Sequence, residues 1–108
     1  MRQRVRFSAS YVLEIDTEKR TADAFALTQS GWGKWSGGVL GGDGLIYGIP
    51  DNATSVLVID PETRSVDTFG QLSADENKWQ GGVYCKADDR IYCIPCYADR
   101  VLAIDAAS

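Results

Sequence analysis

One segment of this chain occurs three times. Val12-Leu13-Glu14-Ile15-Asp16 returns as Val56-Leu57-Val58-Ile59-Asp60 and again as Val101-Leu102-Ala103-Ile104-Asp105, at intervals of 44 and 45 residues. Lys34-Trp35-Ser36-Gly37-Gly38-Val39 returns as Lys78-Trp79-Gln80-Gly81-Gly82-Val83 after 44 residues, and Ile46-Tyr47-Gly48-Ile49-Pro50 returns as Ile91-Tyr92-Cys93-Ile94-Pro95 after 45. Asp23-Ala24-Phe25 and Asp67-Thr68-Phe69 complete the cycle, and the one extra residue falls in the turn between Val83 and Ile91. A fixed period of this size means that each unit is one supersecondary element, able to bury its apolar face only against its neighbours. The units span 12–55 and 56–100, with 101–108 opening a third, and 108 residues suffice for one packing unit.

Within each period the apolar runs are short, rich in Val, Ile, Tyr and Phe, and bounded by Gly, Pro, Asp or Asn, which predicts strands rather than helices. Four strands fit one period. The innermost, a, is the Gly-Gly-Val segment; b is Leu45 to Ile49 or Arg90 to Ile94; c is Ser55 to Ile59 and its copies; d is Ser65 to Phe69 and its copy. Gly41-Gly42-Asp43-Gly44 joins a to b and supplies positive φ, a task that Asp takes over in Lys86-Ala87-Asp88-Asp89. Asp60-Pro61-Glu62-Thr63 joins c to d as a turn with Asp first and Pro second. Strands b and c are nearly continuous in apolar residues, as for a sheet covered on both faces, whereas d alternates like an outer edge. The paired glycines of a suit a crowded axis where backbones approach closely.

The cycle Lys-Trp-x-Gly-Gly-Val, Ile-Tyr-x-Ile-Pro, Val-Leu-x-Ile-Asp resembles the repeats of kelch-like and related non-WD40 β-propeller proteins over residues 12 to 105. Neither the Gly-His nor the Trp-Asp marker of WD40 repeats occurs. The resemblance implies an all-β fold of propeller blades, each a four-stranded antiparallel sheet. It carries no catalytic residue over to this chain.

The strand inventory runs c-d, a-b-c-d, a-b-c, with Val5 to Phe7 as a degenerate extra strand. Two units cannot close a ring, and uncovered apolar faces favour association. The expectation is therefore a ring completed by homo-oligomerisation, three chains and six blades preferred, with dimers or tetramers as the other closed forms. A piece of a longer array would explain the offset equally. With 11 basic against 15 acidic residues the net charge is −4, and the basic face that nucleic acid or an anionic membrane requires is missing. No apolar run reaches the length of a spanning helix or a signal peptide core, so a soluble, cytoplasmic protein is expected.

Strand topology sends the d–a and b–c connections to one end of each sheet. There Lys34, Trp35, Asp51, Asn52, Lys78, Trp79, Tyr97 and Asp99 form a candidate loop face for a small polar or carbohydrate ligand. The competing reading of the two tryptophans is a packing wedge between units. Asp16, Asp60 and Asp105 follow strand c and read as turn caps rather than metal ligands. Cys93 and Cys96 have redox-like spacing, yet the repeat partner of Cys93 is Gly48, which points to a small buried strand residue. The chain contains no histidine, which removes the commonest general base and zinc ligand. No catalytic residue, metal or cofactor is expected. The leading reading is a non-catalytic binding module; the others are a metal-assisted lyase or hydrolase and a structural fragment with no ligand.

Overall fold

The structure, a computed structural model, describes residues 11–26 and 34–105. Val5 to Phe7 lie outside the described residues. The β-branched and aromatic runs form nine strands among the described residues, with no helix: β1 (Tyr11–Asp16), β2 (Thr21–Ala26), β3 (Trp35–Leu40), β4 (Ile46–Pro50), β5 (Val56–Asp60), β6 (Ser65–Phe69), β7 (Trp79–Cys85), β8 (Arg90–Pro95) and β9 (Leu102–Asp105). They make three antiparallel sheets, β1-β2, β3-β4-β5-β6 and β7-β8-β9, each a simple meander. Strand a is longer than the sequence suggests, because it begins at the tryptophan in both copies.

Register repeats between the second and third sheets. Trp35 pairs with Pro50 and Gly38 with Gly48; Trp79 pairs with Pro95 and Gly82 with Cys93. Each first strand carries a bulge between its tryptophan and its second glycine, and the first glycine of the pair takes positive φ there, 76° at Gly37 and 78° at Gly81. A bulge of this kind needs a left-handed residue, which glycine adopts without the clash of a Cβ. The second glycine answers a different demand. A Cβ on Gly82 would stand 3.1 Å from the Tyr92 carbonyl oxygen and 3.2 Å from Ile49 Cδ1, so its bareness lets the third sheet seat against the second.

That seat is the core. Tyr47, Ile49 and Val56 of the second sheet cluster with Trp79, Ile91, Cys93 and Ile104 of the third, all buried, with Val39 and Tyr84 packed against them. The central strand β4 is covered nearly throughout and β6 alternates, with Val66 and Thr68 half-buried between exposed Ser65, Asp67 and Phe69. Phe69 still sets its ring edge-on to Tyr47, 6.3 Å between centroids. The first sheet joins the second through the Arg64 guanidinium, which donates to Asp23 at 2.9 Å and lies 3.3 Å from Glu14. These exposed pairs position more than they stabilise.

The turns follow the same duplication. Asp16 Oδ1 accepts from the N–H groups of Glu18 and Lys19, and Asp60 Oδ1 from those of Glu62 and Thr63, so both carboxylates cap turns. Each of these turns ends in an arginine at φ 57°, Arg20 and Arg64, a left-handed position that no glycine marks in the sequence. In the a–b hairpins Gly44 (φ 85°) and Asp89 (φ 58°) fill that role.

At Gly81 a Cβ would meet nothing within 4 Å, so substitution there isolates the backbone term. Gly81→Ala is expected to lower stability by about 1–2 kcal/mol, the left-handed penalty of an L-residue, measured as a shift in the urea midpoint. An unchanged midpoint would contradict the bulge.

Candidate functional site

The loop ends of the second and third sheets are each built on a lysine carbonyl. The Lys34 oxygen accepts from Asp51 N–H (2.9 Å) and Ala53 N–H (3.0 Å), and the Lys78 oxygen accepts from Cys96 N–H (2.8 Å) and Ala98 N–H (3.2 Å). The tryptophan that follows each lysine donates its indole N–H to the carbonyl that precedes strand c, Trp35 to Ser55 and Trp79 to Arg100, both at 2.9 Å. The d–a and b–c connections are thus tied together in both units. A second set of bonds crosses between units: Lys78 N–H donates to the Asp51 carbonyl (3.0 Å), Leu72 N–H to the Thr54 carbonyl (2.8 Å) and Asn77 N–H to Asn52 Oδ1 (2.8 Å). Asn77 sits at φ 54°, a value asparagine tolerates better than most residues, and the sequence places Gly33 at the same point of the preceding repeat.

Of the eight residues expected on this face, four line one cleft. Lys78, Trp79, Tyr97 and Asp99 bound a space of about 570 Å³, together with Ser73, Asp75, Glu76, Ala98 and Arg100. Lys34, Trp35, Asp51 and Asn52 do not line it. Lys34 is buried with its ammonium 5.4 Å from the Trp35 ring centroid, a cation–π distance. Trp79 is buried as well, so it forms the cleft wall and its indole serves the loop tie. The aromatic surface offered to solvent is Tyr97. Ser73, Asp75, Glu76 and Arg100 carry no repeated motif, and the repeat comparison passes over them.

Charges are buried at the joint between units. Lys78 and Asp51 are each about 3% exposed. The Lys78 ammonium donates to the Asp75 carbonyl at 2.8 Å; burial holds its pKa below the usual lysine value, against the opposing pull of Asp75 and Asp51. Burial likewise lowers Lys34. Asp51 moves the other way: burial raises it above its usual 3.8, while a hydrogen bond with Gln80 and the Lys78 charge resist and Glu76 adds to the rise. One Asp51 oxygen, Oδ1, has no hydrogen-bond partner.

At the hairpin end Asp43 and Asp88 are exposed and Asp89 is half-buried. Their carboxylates accept from tyrosine hydroxyls, Tyr47 to Asp43, Tyr84 to Asp89 and Tyr92 to Asp88. The Asp-x-x-x-Tyr spacing, present at both Asp43-Tyr47 and Asp88-Tyr92, is the signal that reveals two of the three, and Tyr84–Asp89 carries no such spacing. Burial, and then the Asp43 bond, push the Tyr47 hydroxyl up, which keeps it a neutral donor. Among the described residues no three Cys, Asp or Glu side chains gather as a metal site, and no helix is long and apolar enough to cross a membrane. Cys85, Cys93 and Cys96 are free thiols, with Cys93 buried opposite Gly82 and Cys96 exposed.

Two outcomes follow from these environments. Burial pushes the Cys93 thiol up to about 12, so iodoacetamide at neutral pH should leave Cys93 unmodified in the native protein and alkylate it after unfolding, as read by peptide mass spectrometry. Because the folded pKa of Asp51 is raised, the folded state favours its protonated form. Its contribution to stability is therefore present at low pH and lost as pH rises from 3.8 through the folded value. Asp51→Asn should gain stability relative to the unsubstituted chain across that interval, measured by thermal melts at matched ionic strength.

No family model matches the chain, and comparison with curated proteins and with solved structures gives no significant match.

Proposed function

We propose that the chain is a non-catalytic β-propeller module of kelch-like repeats that completes a closed ring with copies of itself and binds a ligand on its loop face. The observation that carries this reading is the duplicated meander. Two meanders of equal register stack face to face, their first strands approach at the paired glycines, and the same lysine carbonyl and indole bonds order the loop end of both. Sheets that stack in this way around a glycine-lined inner edge are the elements of a propeller. Among the described residues the sheets have two, four and three strands, and ring completion by copies of the chain is the reading that brings each to four. Strands a and b of one chain with c and d of the next would restore a four-stranded sheet, one copy of strand c displacing the other, and three chains would give six blades.

The cleft between Ser73–Lys78 and Tyr97–Arg100 supports ligand binding. It combines an exposed aromatic ring, the carboxylates of Asp75, Glu76 and Asp99, and the Arg100 guanidinium in about 570 Å³. A sugar ring offers apolar C–H faces to tyrosine and hydroxyl donors to carboxylates, so the ligand class is a carbohydrate or a similar small polyol.

Light scattering should return three times the 11.8 kDa of one chain; a species of 11.8 kDa at every concentration would overturn the ring. Titration with a panel of neutral oligosaccharides should change tryptophan emission through Trp79. Asp99→Ala, at an exposed side chain, should weaken that binding roughly tenfold, the value of one hydrogen bond to a charged group. Indifference of the emission to every sugar would remove the carbohydrate reading.

A further inference from the structure

The two ends of the stack are complementary halves of the joint found in its middle. On the second sheet the face turned toward the third presents Val39, Tyr47, Ile49 and Val56; Ile49 and Val56 are 0% and 3% exposed, and Val39 packs against the same cluster. The repeat counterparts on the third sheet are Val83, Tyr92, Ile94 and Val101, identical in side chain at all four positions. Three of them stand open, Val83 at 61%, Ile94 at 53% and Val101 at 56%. The opposite half shows the converse along its first strand, while Gly48 and Leu57 behind it are buried. Gly82 and Tyr84 of the third sheet lie against the second, while their counterparts Gly38 and Leu40 are exposed, Leu40 at 62%. Tyr97, which stands where Asn52 crosses to the next unit, is exposed too.

We propose that the outer face of the third sheet, centred on Val83, Ile94 and Val101, is the docking surface for the Gly38–Leu40 face of a second copy of this chain, in the arrangement that joins the second and third sheets within one chain. This rests on the self-assembly reading above and names its surface. A second copy is the fitting occupant because the joint's side chains are already written twice in the sequence: the exposed apolar set is the set that Gly82 and Tyr84 cover internally, and the bare glycine edge that would receive it is Gly38. The contact is heterologous, since the two patches are different surfaces, so repeated use closes a ring or extends a filament. Burying an apolar patch of this composition is the usual source of association free energy.

The test uses two variants, Ile94→Glu and Leu40→Glu, each at a side chain outside the core. At a concentration where the unsubstituted chain is assembled, each variant alone should run as a single chain in sedimentation, with its far-ultraviolet circular dichroism unchanged. Mixed together they should form a one-to-one pair and nothing larger, because each retains the half that the other has lost. Ile94→Ser and Leu40→Ser give the same readout should either glutamate variant lose its strand signal. Variants that keep the assembled mass, or single-chain variants that fail to pair on mixing, would overturn this surface while leaving self-assembly standing. An unsubstituted chain that never associates would overturn both.

Discussion

A sheet of this chain needs cover on its faces, and that requirement governs everything else in the molecule. The runs of β4 and β5 are too apolar to face water, and the layer formed by Ile49, Val56, Ile91, Cys93 and Ile104 answers by pressing one meander onto the next. At roughly 1.5–3 kcal/mol for each fully buried aliphatic side chain, no surface ion pair or turn cap competes with this layer. The glycine at position 82 matters because it allows the approach; the bulge at 81 matters because it keeps the tryptophan in register beyond that glycine.

The two ends of the sheets divide the remaining work. At the loop end, backbone bonds to the Lys34 and Lys78 carbonyls fix the connections within a unit, and those reaching Asp51, Asn52 and Thr54 tie it to its successor. Charged groups are carried into that joint, where Lys78 and Asp51 lie out of solvent. At the hairpin end, tyrosine hydroxyls hold the tight turns through Asp43, Asp88 and Asp89. The first end links units, and the second finishes each one.

Strand positions were legible because period and composition agree. The β-branched runs, the Gly-rich and Asp-rich turns and the three Val-Leu-x-Ile-Asp segments locate the nine strands of the described residues to within a few residues, and the alternation along Ser65 to Phe69 appears as an outer strand of alternating exposure. The turn-capping role of Asp16 and Asp60 was readable from residue type alone. Less visible was anything that depends on the third dimension. Left-handed Arg20 and Arg64 carry no glycine signature. The indole ties of Trp35 and Trp79 could be separated from ligand stacking only once their carbonyl partners were placed. Four of the eight loop-face residues line the cleft, and the others that do so belong largely to the d–a connection, where the repeat is silent.

The hairpin tips show where such a unit tolerates change. The shorter hairpin closes with Gly41 N–H bonded to the Leu45 carbonyl, while the longer pairs Cys85 with Arg90 and closes around Asp89, yet from tryptophan to proline the pairing that faces the core is the same in both. A residue gained or lost at that rim leaves every packed layer in place. The opposite rim has no such freedom, since its backbone bonds count residues from one unit to the next. Such a repeat is therefore free to diverge in length at its hairpin tips, while the loop end keeps the spacing that aligns one unit with the next.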